Sequence, residues 1–213
     1  MMKVSVSFLS EVNRLESVIS DLERSSADYI HLDIMDGLFV PNINGDINQY
    51  ERIFSRGVKP LDIHLMVEDV KTYASLYSRL KPEFITFHYE AGVDVSSMID
   101  FIQFMGCKCG ISIKPDTSVS DLIPYLSKVD LVLVMSVLPG MGGQSFIESS
   151  VSKIEELVRI RTENNYQYLI EVDGGIDSVS SEMCKSADIL VSGSYIFKDS
   201  NYEQRIMMLK TVK

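Results

Sequence analysis

Histidine and aspartate side chains stand at the ends of several short apolar runs in this sequence. His31 and Asp33 are two residues apart, His64 ends a second run, and Asp173 ends a later one. Residues i and i+2 of a β-strand point to the same face, so His31 and Asp33 are expected on one side. Two imidazoles and two carboxylates form a ligand set for a divalent metal ion. Hydrogen-bonded structural side chains or helix caps are the alternative, and both interpretations stay open here.

Glycine-rich turns are the second candidate feature. They follow three consecutive apolar runs and read Pro139-Gly140-Met141-Gly142-Gly143-Gln144, Asp173-Gly174-Gly175 and Ser192-Gly193-Ser194. Backbone N–H groups in such turns bind phosphate without help from a positive side chain. The alternative is that glycine only supplies the positive φ of a tight turn. Three such turns in successive connections favour a phosphate site.

Methionines are the third feature. Met35, Met66 and Met135 lie at or just past the ends of apolar runs that carry the polar residues. Methionine is a common filler of hydrophobic cores, and position alone favours that role. A soft apolar lining around a reactive centre is the alternative.

The elements that must position these residues alternate regularly along the chain. Eight short apolar runs predict strands at Val4–Leu9, Tyr29–Ile34, Leu61–Met66, Phe84–His88, Lys108–Ile113, Leu131–Met135, Tyr168–Val172 and Ile189–Val191. Amphipathic patterns between them predict helices at Glu11–Arg24, Asn48–Phe54, Val70–Leu80, Val95–Met105, Val119–Leu126, Ser149–Asn164, Val179–Lys185 and Tyr202–Thr211.

Eight strand–helix units predict an α/β fold, a single (β/α)8 TIM barrel over residues 1–213 that forms one catalytic domain. In such a barrel, the chemistry takes place at the carboxyl ends of the strands. A doubly wound open sheet is the alternative. The first turn, Ser7-Phe8-Leu9-Ser10, lacks the glycine fingerprint of a dinucleotide site, so no nucleotide cofactor is expected.

Composition and charge narrow the function classes. The 213 residues carry 20 Lys plus Arg and 30 Asp plus Glu, a net charge of −10, which disfavours nucleic acid and anionic membrane surfaces as partners. No apolar run reaches the length of a transmembrane helix, and Glu11 and Arg14 interrupt any signal-peptide core. The three cysteines fit neither a disulfide framework nor a zinc-ribbon spacing, so we expect a cytoplasmic protein.

An ordered set of motifs gives this chain a resemblance over nearly its whole length. The motifs are Ser7-Phe8-Leu9-Ser10, His31 to Gly37, Phe39 to Asn42, Asp62 to Val67, Thr86 to His88 with Glu90-Ala91, Val134 to Ser136, Pro139-Gly140 with Gly142 to Gln144, Glu171 to Gly175, and Ser192 to Ser194. In this order, they make the chain similar to the ribulose-phosphate 3-epimerase family.

The resemblance implies a set of roles for the candidate residues. One divalent metal ion, zinc in preference to iron, manganese or cobalt, would be bound by His31, Asp33, His64 and Asp173. Asp33 and Asp173 would also be the catalytic acid–base pair, and Met35, Met66 and Met135 would line the active site. The substrate and its phosphate would contact Ser7, His64, Gly142, Gly143, Gly174, Gly175, Gly193 and Ser194.

The implied reaction interconverts D-ribulose 5-phosphate and D-xylulose 5-phosphate, a step of the pentose phosphate pathway. One carboxylate removes the proton at C3, the metal stabilises the enediolate, and the other carboxylate returns a proton to the opposite face. This two-base 1,1-proton transfer needs no redox cofactor. The resemblance also implies a homo-oligomer.

Four features depart from the family pattern. Val6 replaces a usual proline, Leu38 a usual polar residue and Tyr89 a frequent proline, and the segment 43–48 is unlike its counterpart. Leu38 and this segment are expected to affect what surrounds the far end of the sugar. A ketohexose 6-phosphate such as D-allulose 6-phosphate is therefore an alternative substrate, and a non-catalytic sugar-phosphate-binding barrel is a further alternative.

Overall fold

The structure is a computed structural model that describes residues 2–54 and 59–212. Eight parallel strands form its sheet: β1 Lys3–Ser7, β2 Tyr29–Asp36, β4 Leu61–Met66, β5 Phe84–His88, β6 Lys108–Ile113, β7 Leu131–Met135, β8 Leu169–Asp173 and β9 Ile189–Ser192. β1 pairs with both β2 and β9, so the sheet closes into a barrel. The predicted (β/α)8 barrel is confirmed. A short strand that was not predicted, β3 Ile43–Asn44, pairs antiparallel with the end of β2.

The helices surround the barrel. They are α1 Leu15–Glu23, α2 Ile47–Phe54, α3 Val70–Tyr77, α4 Val95–Phe104, α5 Ser150–Asn164, α6 Ser180–Met183, α7 Ser194–Phe197 and α8 Tyr202–Lys210. The predicted helix over 119–126 is wrong in type, because only a 3-10 turn forms at Val119–Leu122. Pro124 follows within two residues and has no N–H to continue an α-helical hydrogen-bond ladder.

The barrel interior has an apolar base and a polar upper part. Tyr29, Phe84, Leu131, Leu133 and Ile189 form one buried apolar cluster inside the barrel. Most inward-facing positions above this cluster are polar and buried, and they include Ser5, His31, Asp62, His64, Thr86, Ser112 and Glu171. Burying so many polar groups has a free-energy cost that apolar residues would avoid, so this region has a functional reason to be polar.

Two further findings concern the expectations from composition. Cys107, Cys109 and Cys184 are buried free thiols, in agreement with the expected absence of a disulfide framework. Within the described ranges, no helix has the length and apolar character needed to cross a membrane.

Candidate active site

Four predicted ligands converge at the carboxyl ends of β2, β4 and β8. One oxygen of Asp33 lies 3.4 Å from His31 Nε2 and 3.4 Å from His64 Nδ1, and His64 Nδ1 is 3.9 Å from Asp173 Oδ2. All four side chains offer a ligand atom within 4.8 Å of the others. The strand register explains this meeting, because Asp33 is paired with His64 across β2 and β4.

The cluster has the properties of a divalent metal site. His31 Nε2 and His64 Nδ1 are buried and, among the described residues, have no hydrogen-bond partner. Leaving buried ring nitrogens unpaired is costly, and both nitrogens face the carboxylates of Asp33 and Asp173. Two nitrogens and two carboxylate oxygens are a ligand set that zinc, iron, manganese and cobalt accept. The residues therefore fit the ion that the sequence predicted.

Hydrogen bonds hold the ligands in place from outside the cluster. Asp62 Oδ2 lies 2.6 Å from His31 Nδ1 and accepts a hydrogen bond from Ser5 Oγ at 2.8 Å. Ser7 Oγ donates to Asp33 Oδ2 at 2.8 Å, which leaves the other oxygen of Asp33 directed at the two imidazoles. His31 and Asp33 are thus fixed before any ligand binds.

The two catalytic candidates have pKa values displaced in opposite directions. Burial would raise the pKa of Asp33, but the charge of His31 and contacts with both histidines outweigh it and lower the pKa. Burial raises the pKa of Asp173 to about 6, and the negative charge of Asp33 adds to this rise. Paired carboxyl groups whose environments separate their pKa values are typical of acid–base pairs.

Two neighbouring groups are also displaced. Burial opposes protonation of His31, yet the charges of Asp62 and Asp33 dominate and raise its pKa well above the usual value. Burial and the charge of Asp62 raise the pKa of Glu171 well above the usual value. Both shifts favour the protonated form, the imidazolium of His31 and the neutral carboxylic acid of Glu171.

The third histidine lies behind His64. His64 Nε2 and His88 Nε2 are 2.9 Å apart, and His88 Nδ1 is 3.1 Å from Glu90 Oε2. Burial lowers the pKa of His88 to about 4, although the hydrogen bond to Glu90 opposes this. Burial would raise the pKa of Glu90, but hydrogen bonds from His88, Thr117 and the Lys114 N–H outweigh it and lower the pKa to about 2.

An open pocket lies directly above the cluster at the barrel mouth. All the remaining predicted site residues line it, together with Asp33 and Asp173: Ser7, Met35, Met66, Met135, Gly142, Gly143, Gly174, Gly175, Gly193 and Ser194. The three methionines are almost completely buried, and Met35 and Met66 pack with Val40 in one apolar cluster. The structure therefore brings every predicted site residue to one end of the barrel, with His31 and His64 at the pocket's base.

Two glycines at the barrel mouth, Gly193 and Gly142, differ in whether the protein's own packing requires a glycine there. A Cβ on Gly193 would lie 2.4 Å from the backbone oxygen of Ser7, so only glycine lets β9 approach β1 there. A Cβ on Gly142 would meet nothing within 4 Å, and its φ is outside the left-handed region. The protein's own packing gives no reason for glycine at 142, whereas a ligand close to the backbone would.

The departing segments lie around this mouth. Leu38 is 70% exposed and is not among the pocket residues. Ile43 and Asn44 form β3, and Asn44 Nδ2 donates to the backbone oxygen of Asp33 at 2.6 Å. The unusual segment thus supports the strand that carries Asp33.

Four polar residues around the cluster were present in the motifs but received no predicted role. They are Asp62, His88, Glu90 and Glu171. Asp62 precedes His64 by two residues, and Glu171 precedes Asp173 by two. The same i, i+2 rule that paired His31 with Asp33 would have placed Asp62 and Glu171 inside the barrel, one layer below His64 and Asp173.

A closed parallel barrel with titratable side chains below an open pocket at its mouth is typical of enzymes of the (β/α)8 class. The sequence profile of the Ribulose-phosphate 3 epimerase family matches residues 3–197. This chain belongs to that family and is an isomerase of the epimerase type.

Individual relatives agree with this membership. The chain is 40% identical over 190 residues to Ribulose-phosphate 3-epimerase of Treponema pallidum, covering 88% of this chain and 87% of the relative. It is 36% identical over 217 residues to Ribulose-phosphate 3-epimerase of Bacillus subtilis, with both chains fully covered. Among solved structures, 3-hexulose-6-phosphate synthase from Salmonella typhimurium superposes with a TM-score of 0.67 at 15% identity, covering 99% of this chain and 98% of the other. This last likeness concerns the fold alone.

Proposed function

We propose that this chain is a metal-dependent 3-epimerase that interconverts D-ribulose 5-phosphate and D-xylulose 5-phosphate. The observation that carries this proposal is the pair Asp33 and Asp173, which lie side by side at the barrel mouth, Asp33 buried and Asp173 partly exposed, with pKa values displaced in opposite directions. Inversion of a carbon next to a ketone requires one group that removes a proton and another that supplies one. Asp33 is placed to act as the base and Asp173 as the acid in one direction of the reaction.

The two carboxyl groups would exchange roles between the two directions. In one direction Asp33 takes the C3 proton and Asp173 gives a proton to the other face of the carbon, and the reverse reaction uses them in the opposite sense. Ser7 donates a hydrogen bond to Asp33 Oδ2 and would orient that oxygen toward the substrate. Met35, Met66 and Met135 would exclude water from the reacting carbon and offer it no acidic proton.

A divalent ion would be held by His31, Asp33, His64 and Asp173. When bound, it would supply a Lewis acid that stabilises negative charge developing on the substrate's carbonyl oxygen. The unpaired nitrogens of His31 and His64 support this assignment. The phosphate would lie against the glycine turns of residues 142–143, 174–175 and 193–194, which suits an acidic chain because backbone N–H groups supply the contacts.

Proton NMR in D2O with zinc-loaded protein tests the proposal. We expect deuterium to enter C3 of ribulose 5-phosphate as xylulose 5-phosphate forms. Allulose 6-phosphate is assayed in parallel, and a faster reaction with it would transfer the assignment to a hexulose phosphate. Zinc binding without exchange on either compound would refute the epimerase and leave a sugar-phosphate-binding barrel.

Asp33→Asn and Asp173→Asn separate the two bases. At saturating zinc, each variant should lose roughly 10²–10⁴-fold in epimerisation, because one proton transfer loses its catalyst. Each should still exchange deuterium into one epimer, and the two variants should select opposite epimers. Exchange of the same epimer by both variants would contradict the two-base assignment. Asp100→Asn, at an exposed position of α4, is the matched control and should keep the wild-type rate.

Further properties belong to this proposal. We expect the whole chain to act as one catalytic domain without a nucleotide cofactor. The buried free thiols suit a reducing cytoplasm. We also expect a homo-oligomer, which light scattering after size-exclusion chromatography would measure.

A further inference from the structure

The two ligand histidines are held differently on the side away from the cluster. His31 directs Nε2 into the cluster, and its Nδ1 lies against the Asp62 carboxylate. His64 directs the opposite nitrogen, Nδ1, into the cluster, and its Nε2 lies against a second imidazole, His88 Nε2, at 2.9 Å. The Asp62 carboxylate can always accept a hydrogen bond from a histidine N–H. His88 Nε2 can accept one only when the proton of the His88 ring is on Nδ1. The state of His88 therefore decides whether His64 is in the correct form.

We propose that His88 and Glu90 are positioning residues that fix the His64 tautomer with Nδ1 free for a metal ion. The proposal rests on the metal site argued above, because a metal on Nδ1 leaves the proton of neutral His64 on Nε2. That N–H must then donate to His88 Nε2, which leaves the His88 proton on Nδ1. Glu90 Oε2, 3.1 Å from that nitrogen, accepts it, so all hydrogen bonds in the chain run from His64 to Glu90.

Glu90 is itself held so that it presents an acceptor to His88. Its other oxygen, Oε1, accepts from the backbone N–H of Lys114 at 2.7 Å and from the hydroxyl of Thr117. These two donors keep the carboxylate oriented and occupied on one side. A glutamine at this position would place its amide oxygen toward those donors and its NH2 group toward His88 Nδ1. The glutamine NH2 group would then face the N–H at His88 Nδ1, so that two donors oppose each other. In the alternative His88 tautomer, the proton on Nε2 would face the N–H of His64 instead.

His64 and His88, the inner part of the hydrogen-bonded chain, are shielded from solvent, and the Glu90 side chain is 18% exposed. His88 is completely buried, and the ring of Phe39 lies over it with a centroid distance of 4.8 Å. Lys114 Nζ in turn lies 4.0 Å from the centre of the Phe39 ring. Water therefore does not compete for the His64–His88 hydrogen bond, and Glu90 sets the direction of the chain from its far end.

Nitrogen-15 NMR of the three histidines in zinc-loaded wild-type protein tests the tautomers directly. We expect His64 to be protonated at Nε2 and His88 at Nδ1, with His88 Nε2 unprotonated. Protonation of His88 at Nε2 or at both nitrogens would overturn the proposal. This measurement needs no variant and does not depend on turnover.

Zinc affinity of variants gives the second readout. Glu90→Gln and His88→Leu should bind zinc roughly 10–100-fold more weakly, the usual effect of removing a partner of a metal-ligating histidine. His88→Gln can place an amide oxygen near the position of His88 Nε2, so it should recover part of this loss. Asp100→Asn, at an exposed position of α4, is the control and should bind zinc like the wild type. Circular dichroism verifies that each variant is folded.

The outcomes separate this proposal from the proposed function. The positioning role alone would be overturned if the wild type binds zinc and epimerises while Glu90→Gln and His88→Leu bind zinc with the same affinity as the wild type. Wild-type protein that binds no zinc would overturn both. Weaker binding in Glu90→Gln together with the expected tautomers would establish the role of the chain.

Discussion

Glu171 offers a test of the buried charges that does not depend on catalysis. It is completely buried, its carboxyl group lies within 4.8 Å of Asp62 and His31, and within the described part of the chain neither of its oxygens has a hydrogen-bond partner. Burial and the charge of Asp62 raise its pKa well above the usual value. We therefore expect Glu171→Gln, which resembles the protonated acid in shape and charge, to fold as well as the wild type.

The two proteins should differ in how stability depends on pH. Above the usual pKa of glutamate, the unfolded wild type has released the Glu171 proton while the folded state still holds it. Folded protein then binds one proton more than unfolded protein, so the free energy of unfolding falls by about 1.4 kcal/mol per pH unit from this group. Glutamine has no proton to release. The advantage of the variant should thus grow by roughly 2.7 kcal/mol over two pH units, as long as Glu171 stays protonated when folded.

Urea unfolding of metal-free wild type and Glu171→Gln at pH 5.5, 6.5 and 7.5, values chosen to span about two units above the usual pKa of glutamate, measures this difference. Glu163→Gln is the matched control, because Glu163 is exposed on α5 and pairs with Arg159 at 2.8 Å. Its stability should follow the wild type at each pH. A constant difference between wild type and Glu171→Gln across the range would refute the claim that folded Glu171 carries a proton.

Three further predictions concern the metal site and the mouth. Asp62→Asn should weaken zinc binding roughly 10–100-fold in a chelator competition, because His31 loses the charged partner of its Nδ1. Zinc affinity should fall with decreasing pH, by about one power of ten per pH unit, because His31 must release a proton to bind the ion. Below about pH 6 the fall should steepen by about one further power of ten per pH unit, because Asp173 is then protonated too. Calorimetry in buffers of different ionisation enthalpy counts the released protons. Gly193→Ala should destabilise the fold by about 1–3 kcal/mol and raise KM, because its Cβ would press on the Ser7 backbone; unchanged unfolding and KM would contradict this.

The strands were predictable because their burial is nearly uniform. Leu61–Met66, Phe84–His88, Lys108–Ile113 and Leu131–Met135 agree with the structure at both ends, since polar or helical patterns flank each run. Hydrophobic spacing did not show that residues 119–126 form only a 3-10 turn. Pro124 ends the helical pattern through a missing hydrogen bond, which a pattern of polarity does not record. The strand Ile43–Asn44 is too short to show any period.

The candidate site was predictable in composition but not in its hydrogen bonds. The i, i+2 rule placed His31 beside Asp33, and strand ends brought His64 and Asp173 to the same mouth. Which nitrogen each imidazole directs into the cluster depends on side-chain rotation and strand register, and neither is encoded in residue spacing. The partnership of His64 with His88 has the same origin, since the two lie on neighbouring strands 24 residues apart.

The polar layer below the ligands links stability to function in this barrel. Asp62 Oδ2 lies 2.6 Å from His31 Nδ1, and burial together with the charge of Asp62 raises the pKa of Glu171. Replacing His31, Asp62 and Glu171 together by apolar residues of similar volume would remove this buried charge, a change that is often neutral or stabilising for buried ionic groups. Replacing Asp62 alone would instead leave His31 Nδ1 without an acceptor and destabilise the barrel. We therefore explain this layer by the orientation of His31, the proposed metal ligand above it, at a cost in stability that an apolar core would not carry.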